Sequence, residues 1–362
     1  MSSSSSSSTE LPTVTSGWEL HGTSRGGDGS EALVWNDSLP LPAIGPTDVL
    51  VRLHAWAINY PDISIANGTF PWSYPEDGET KVPGTDGAGE VIEVGSHVQE
   101  LQRHDRVVVV YYPKFLHGAA PTLDQMQQDL GIFRRHAVLP AQALIRMPAN
   151  LTYAEAATLP CSALTAWNAL HGLTPLKAGD AVLTQGTGGV ALFAVRFALA
   201  AGATVIATTS SDDKACRLRE MGVQHVLNYR EDPEWGESAR RLTREGLGCQ
   251  RVIEVGGPQT IAQSFRCVAR GGEIDVIGFL GGQDGNGRPS FLEPLLRACV
   301  VRGIEVGNRI QFEEMNRAIE ALDLRPVVDE RVFGFGELRE AYAHVWNRRM
   351  FGKVVLADQV EE

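Results

Sequence analysis

The sequence has few cysteines and none of them are paired. Five thiols, Cys161, Cys216, Cys249, Cys267 and Cys299, are scattered over 362 residues. With an odd total and no C-x-x-C, they argue against a disulfide framework or a zinc ribbon and for free thiols in a reducing compartment. Long apolar runs are also missing, which excludes a membrane-spanning helix. The amino-terminal stretch, Met1 followed by Ser2 to Ser8, has neither the apolar core of a secretory signal nor the arginines of a transit peptide. It reads as a flexible tail, and the cytoplasm is the expected location. Positive charge is short as well: 32 Lys and Arg against 44 Asp and Glu leave a net charge of -12. That balance disfavours nucleic acid and anionic membranes as partners. An anionic cofactor stays open, because backbone N–H groups and one or two basic residues can bind it locally.

What is present describes a globular protein of two domains. The length exceeds one ordinary core, 43% of residues are hydrophobic and 21% charged, and 38 glycines point to many tight turns. Residues 49–57, 88–94 and 106–110 carry β-rich sequence broken by Gly, Pro and Asp. Past residue 150 the texture changes, with helical character over 152–157 and 162–171. Strands expected at 181–184, 204–208, 226–227, 251–255 and 273–277 then alternate with helices at 189–201 and 214–221. Such alternation is what a doubly wound parallel sheet requires. From about residue 323 short strands return, with one helix at 337–348. The expected α/β architecture is thus a disordered Ser-rich tail (1–16), a β-rich domain (17–150), an inserted domain (151–322) and a return to the first (323–362).

The strongest local signal is Gly186-Thr187-Gly188-Gly189-Val190-Ala191, which follows a strand and opens a helix. Gly186 permits the tight turn, Gly188 lets the backbone approach a diphosphate, and Ala191 lets helix and strand pack closely. An NAD site wants an acidic residue about twenty positions after the first glycine. Here the strand tip is Thr208, followed by Thr209, Ser210, Ser211, Asp212, Asp213 and Lys214. The missing acid removes repulsion against a 2′-phosphate, and Ser210, Ser211 and Lys214 can bind one, which favours NADP. The alternative is that Ser211 caps the next helix, Lys214 is a solvated helix residue and Asp212 reaches the ribose.

Several segments in order along the chain resemble the medium-chain dehydrogenase/reductases, in particular their zinc-independent quinone oxidoreductase and alcohol-dehydrogenase-like branch. They are Ile58-Asn59-Tyr60-Pro61-Asp62, Pro83-Gly84-Thr85-Asp86-Gly87-Ala88-Gly89, Asp105-Arg106-Val107 and Glu155-Ala156-Ala157-Thr158-Leu159-Pro160-Cys161 with Leu164-Thr165-Ala166-Trp167. The glycine loop, Asn228-Tyr229-Arg230, Gly307-Asn308-Arg309 and Phe351-Gly352-Lys353-Val354-Val355 complete the set. The resemblance implies a GroES-like β-barrel domain built from both chain ends, an inserted Rossmann domain, and a cofactor between them. It implies that Thr165 touches the nicotinamide and that Lys214 and Tyr229 reach the 2′-phosphate. Val255-Gly256 and Ile277-Gly278-Phe279 would form loops over ribose and nicotinamide, with Asn308, Arg309 and Lys353 near the cofactor. A homodimer is implied too, through an edge strand expected at 298–304.

Zinc-dependent relatives carry a Cys near Ile58-Asn59 and Gly-His-Glu at Gly84-Thr85-Asp86. Asn and Thr are poor zinc ligands, and the stretch from Tyr111 to Leu130, where those relatives hold a structural zinc, has no cysteine. No metal is therefore expected. Without a Lewis acid the acceptor must already be electrophilic, as quinones, enones and activated carbonyls are. Phe70, Trp72, Tyr74, Tyr111, Tyr112 and Phe115 suggest an apolar pocket for a flat substrate, or in part barrel core. The loop Asn59, Tyr60, Asp62 would lie beside the nicotinamide, with Asn59 donating to the acceptor oxygen and Tyr60 or Asp62 relaying a proton. The alternative is that Asn59 and Asp62 only cap the turn after the strand. Two features depart from close relatives: Pro61 stands where Arg is frequent, and Phe133-Arg134-Arg135-His136 replaces an acidic–aromatic pair. The leading expectation is an NADPH-dependent reductase of an activated C=C or C=O. A zinc-free isomerase or cyclase that keeps NADPH as a structural element, and a non-catalytic NADPH-binding protein, remain open beside it.

Overall fold

The computed structural model describes residues 11–24, 26–71, 79–120, 122, 130–282 and 289–358. Its inserted domain holds a six-stranded sheet in the order His225–Asn228, Thr204–Thr209, Ala181–Gln185, Cys249–Glu254, Val268–Val276, Val300–Gly303. Every neighbouring pair is parallel. Ala181–Gln185 is buried along its whole length. Continuous burial of that kind is why its sequence lacks polar alternation. The strand order reverses beside this strand, so its carboxyl end opens at a switch point where ligands bind in such sheets.

The second sheet joins the two chain ends. Asp48–Ala57 lies at its centre, antiparallel to Asp86–Val94, to His136–Pro140 and to the carboxy-terminal strand Val355–Ala357. The last pairing sets Val355 opposite Ala57, so the chain returns to its first domain as expected. Trp56, fully buried, stacks on Phe335 at 3.8 Å between ring centroids, and its indole N–H donates to Ile132 O at 2.8 Å. A third, three-stranded sheet contains Val14–His21. It corrects the expected tail: Val14 and Thr15 pair with Pro40 and Leu39, so ordered structure begins inside the segment expected to be disordered. An alternating buried pattern on this strand outweighs the polar texture just before it.

Element ends differ by a few residues from the sequence expectation. The helix expected at 162–171 begins with a π-helical turn, Leu159–Ala163, and continues as Leu164–His171. The extra backbone in such a turn is frequent near functional sites. The expected edge strand at 298–304 shortens to Val300–Gly303, because Ala298 adopts a left-handed φ of 48° that ends the preceding helix.

Candidate active site

The glycine loop sits at the carboxyl end of Ala181–Gln185 and opens the helix Gly189–Ala200. Gly186 has φ 76°, a left-handed conformation that a side chain strains. A Cβ at Gly188 would meet no protein atom within 4 Å, so packing within the protein does not demand glycine there. It leaves room there for a ligand, and the helix N-terminus supplies N–H groups for an anion. Gly189 is different: a Cβ there would lie 2.6 Å from Lys353 Cδ and from Ser162 Oγ. Gly352 N–H donates to Thr187 O at 3.0 Å, which binds the carboxy-terminal strap to this loop. The loop as built fits a dinucleotide.

At the adenosine end, Thr208 and Thr209 are buried and Ser211 caps the helix Asp212–Glu220, accepting from Lys214 N–H at 3.4 Å. For Ser211 the capping alternative is therefore realised. The Lys214 ammonium donates to Arg348 O at 3.1 Å and Met350 O at 2.8 Å. Burial lowers its pKa, with Asp329 opposing and Arg217 adding to the shift. Ser210 stands at the same strand end, and Tyr229, whose N–H donates to Thr209 O at 3.1 Å, keeps its side chain exposed. Arg348, absent from the sequence expectation, holds a left-handed φ of 54° and donates to Leu280 O at 3.1 Å.

At the opposite end Thr165 Oγ1 lies 2.7 Å from Cys161 O and 3.0 Å from Glu305 O. The loops expected over ribose and nicotinamide are held from beneath. Val255 and Gly256 N–H both donate to Gln185 Oε1 at 3.1 Å, and Gly256 and Gly257 N–H donate to Glu254 Oε1 at 2.9 Å. Sequence reasoning missed Glu254, a fully buried carboxylate whose other oxygen accepts from Gln185 Nε2 at 2.8 Å. Ile277 N–H donates to Glu254 O at 2.8 Å, Gly278 stands over Val255, and Phe279 meets Tyr60 edge-on at 5.8 Å.

Three expected cofactor contacts point elsewhere. Asn308 caps the helix Arg309–Ala321, accepting from Gln311 N–H at 2.9 Å. Arg309 spends its guanidinium on Gln142 O, Leu144 O and Glu313, because this helix start docks on the first domain. Lys353 sends its stem across Gly189 and its ammonium away from the glycine loop. The ammonium donates to Ile58 O at 2.8 Å and Asn59 Oδ1 at 2.5 Å, and lies 3.5 Å from Asp86 Oδ2.

Around that ammonium gathers a buried polar cluster. Asn59 Nδ2 donates to Thr85 Oγ1 at 3.4 Å, a long bond, and Thr85 Oγ1 donates to Asp86 at 3.2 Å. Asp62 accepts from Asn59 N–H at 2.7 Å and so caps the helix Tyr60–Ala66, with Pro61 in its first turn. The capping alternative for Asp62 is thus present, and its carboxylate is committed to the backbone. Burial raises its pKa to about 7, helped by Asp86 and opposed by the Asn59 N–H bond and Lys353. Burial likewise raises Asp86, with Lys353, Asn59, Cys161 N–H and Thr85 pulling it back. The Cys161 thiol is pushed well above its usual value, first by burial and then by Asp86. Tyr60 is raised by burial against Arg348.

Of the six expected pocket aromatics, Trp72 and Tyr74 lie outside the described residues. Tyr111 and Tyr112 meet edge-on at 4.6 Å. Tyr111 is held far above its normal pKa by burial and by Cys161, Tyr112, Asp62 and Asp86 nearby, so it joins the cluster. Tyr112 is also raised, by burial and by Glu305, to which it is hydrogen-bonded. Phe115, whose N–H donates to Tyr112 O at 2.9 Å, and Phe70 are half-buried rather than core. Among the described residues no group of three His, Cys, Asp or Glu side chains is placed to hold a metal.

Comparison with known proteins agrees with this fold. The family model for the alcohol dehydrogenase GroES-like domain matches residues 45–149, and the zinc-binding dehydrogenase model matches residues 189–322. A zinc-type alcohol dehydrogenase-like protein of Schizosaccharomyces pombe is 42% identical over 322 residues, covering 86% of this chain and 91% of its own. The crystal structure of a putative alcohol dehydrogenase from Sinorhizobium meliloti superposes with a TM-score of 0.85 at 35% identity, covering 96% of this chain and 100% of the other. A structure described as an NAD-dependent alcohol dehydrogenase gives 0.80 at 31% identity, covering 94% and 99%.

Proposed function

Because the chain belongs to the medium-chain dehydrogenase/reductase superfamily, we propose that it is a zinc-free, NADPH-dependent oxidoreductase. Its substrate is an apolar small molecule with an activated C=C or C=O, such as an enone, quinone or activated carbonyl. The observation that carries this reading is the Lys353 ammonium, 2.5 Å from Asn59 and 3.5 Å from Asp86. It places a cation of the protein's own at the positions where zinc-dependent relatives carry ligands. An amide, a hydroxyl and an ammonium do not make a zinc site. The family model that carries zinc in its description matches only residues 189–322 and includes neither Asn59 nor Thr85.

A bound nicotinamide cofactor would supply the hydride. The chain's own residues bind, orient and manage charge. The glycine loop, Gly186 to Val190, and the helix behind it hold the diphosphate. Ser210, Ser211, Lys214 and Tyr229 surround the 2′-phosphate, Lys214 exchanging its carbonyl partners for the anion. Thr165 and the loops at Val255-Gly256 and Ile277-Gly278-Phe279 fix the ring. The acceptor sits against Tyr111, Tyr112, Phe115 and Phe70. Asn59 Nδ2, whose bond to Thr85 is long, would donate to the acceptor oxygen as it gains charge. Tyr60 is the proton source with a route to the cleft, since Asp62 is engaged as a cap. NADH is the second reading of the cofactor, favoured by the NAD-dependent description of one 31% identical structure and by Asp212 at the helix start.

A screen of NADPH and NADH oxidation against quinones, enones, aldehydes and ketones tests the reaction, with metal content measured on the same protein. Turnover unaffected by chelators, without stoichiometric zinc, is expected. One tightly held zinc per chain, or no turnover with any acceptor, overturns the reading. The chain also forms a homodimer in this reading. The outermost strand, Val300–Gly303, leaves Val300 and Val301 exposed, next to exposed Phe291, Leu295 and Leu296. An apolar open edge of this kind needs cover. Light scattering at micromolar concentration should return twice the chain mass.

A further inference from the structure

The position of Lys353 has a function that its sequence motif did not suggest. The side chain is 4% exposed and joins two parts of the molecule that are remote in sequence. Its backbone is pinned beside the glycine loop: Lys353 N–H donates to Val327 O at 2.9 Å, and the neighbouring Gly352 donates to Thr187 O at 3.0 Å. Its methylenes pass over Gly189, where any side chain would strike them. The ammonium then ends on Ile58 O, Asn59 Oδ1 and the Asp86 carboxylate. Two of the ammonium's three donors go to Ile58 O and Asn59 Oδ1, and the Asp86 carboxylate lies at ion-pair distance.

An asparagine amide can be held either way round, its oxygen and nitrogen differing little in shape. The ammonium settles the choice. It takes the oxygen, so the NH2 end faces the Asp86 carboxylate and Thr85, the latter keeping partial exposure. In the flipped state Asn59 would set NH2 against a cation and turn a carbonyl oxygen toward the acceptor, where it would repel developing negative charge. We propose that Lys353 is the built-in cation of this site and acts as a positioning residue, locking the Asn59 amide with its donor end toward the acceptor. The same ammonium compensates Asp86, the cation recorded beside its buried carboxylate among the described residues. Because its stem lies on the glycine loop, the donor of charge and the cofactor cradle are held in fixed relation by one side chain.

The proposal rests on the reductase reading for its kinetic arm, and a second arm does not use activity. In the kinetic arm, Lys353→Met is compared with Lys353→Arg and Asn59→Ala using whichever acceptor wild type reduces. Lys353→Met should lower kcat about 100-fold, the usual loss for one such donor, with the NADPH Kd changed less than about threefold. Lys353→Arg should restore part of kcat. In the Asn59→Ala background, Lys353→Met should cost little more, since residues acting as one unit are not additive. A rise in NADPH Kd of tenfold or more with kcat intact would return Lys353 to the phosphates and overturn the proposal. Fully additive losses would also overturn it. In the stability arm, Lys353→Met should lose several degrees of Tm by leaving Asp86 buried and unpaired, and Lys353→Met/Asp86→Asn should recover most of it. Equal Tm values for these two variants would overturn the pairing. Absence of turnover in wild type defeats the reductase reading alone, and the stability arm still decides the cation. If Lys353→Met does not fold, recovery of folding in the double variant supports the proposal and failure of both counts against it.

Discussion

The glycine loop and the Lys353 cluster lie side by side and are built in opposite ways. The loop is one continuous stretch of chain, and its Gly188 faces space that no protein atom fills. The cluster draws Asn59, Asp62, Thr85, Asp86, Cys161 and Lys353 from widely separated parts of the chain into one polar network, with Asn59, Asp62, Asp86 and Lys353 buried. The loop is shaped for what it will hold, whereas the cluster is shaped by what it already holds. Substitutions in the first should therefore act on binding and spare the fold, and substitutions in the second should act on turnover and stability together.

The largest expected effect is at Asn59. Asn59→Ala should lower turnover by roughly 10²–10³, and by orphaning a Lys353 donor it should also cost about 1–3 kcal/mol of stability. Turnover and Tm measured on the same protein check this, and near-normal turnover would move the charge chemistry to Tyr111 or Tyr112. Next comes Gly188→Ala. Its Cβ meets no protein atom and its φ of -82° suits any residue, so Tm should hold while dinucleotide affinity falls by tenfold or more, about 1.4 kcal/mol. A fall in Tm with unchanged affinity would erase the contrast between the two regions. Lys214→Glu should abolish a preference for NADPH over NADH of about tenfold in Kd, and titration of both cofactors by fluorescence reads it directly. Equal affinities in wild type would make the NADH reading the better one.

The smallest effect is a slope with pH. The Asp62 pKa is raised from 3.8 to about 7 in the folded chain. The folded state therefore binds more protons than the unfolded one between those values, and this group's contribution to stability falls as pH rises from about 4 to about 7. The charges facing it are Asp86 and Lys353, with Tyr111 and Tyr342 also close. Asp62→Asn keeps an oxygen for the Asn59 N–H bond and should flatten that slope. Tm measured at several pH values for both proteins checks it.

Much of the fold was legible because its signals are local. The strand–glycine–helix sequence around Gly186, the alternation of strands and helices past residue 150, and the β-rich texture of the first domain each depend on neighbours in the chain. The strand Val14–His21 was read short, since the serine run beside it masks where alternation begins. In the site the legible residues were those inside motifs. Glu254 and Arg348 were missed: a lone acid at a strand end and one arginine of a basic pair carry no pattern. A carboxylate at the end of a strand that leads into an expected cofactor loop is the signal that points to Glu254.

The residues by themselves determined the two-domain α/β architecture, the dinucleotide loop, and the amide and hydroxyl at Asn59 and Thr85. Those properties follow from side-chain type and from order along the chain. The structure alone decided where Arg309 and Lys353 point and which atoms Asp62 serves. A long flexible side chain goes where buried acceptors require a donor, and those acceptors, Ile58 O and Asn59 Oδ1, are nearly 300 residues away in sequence from Lys353. Only folding brings them within hydrogen-bond distance, and burial makes the contact too costly to leave unmade.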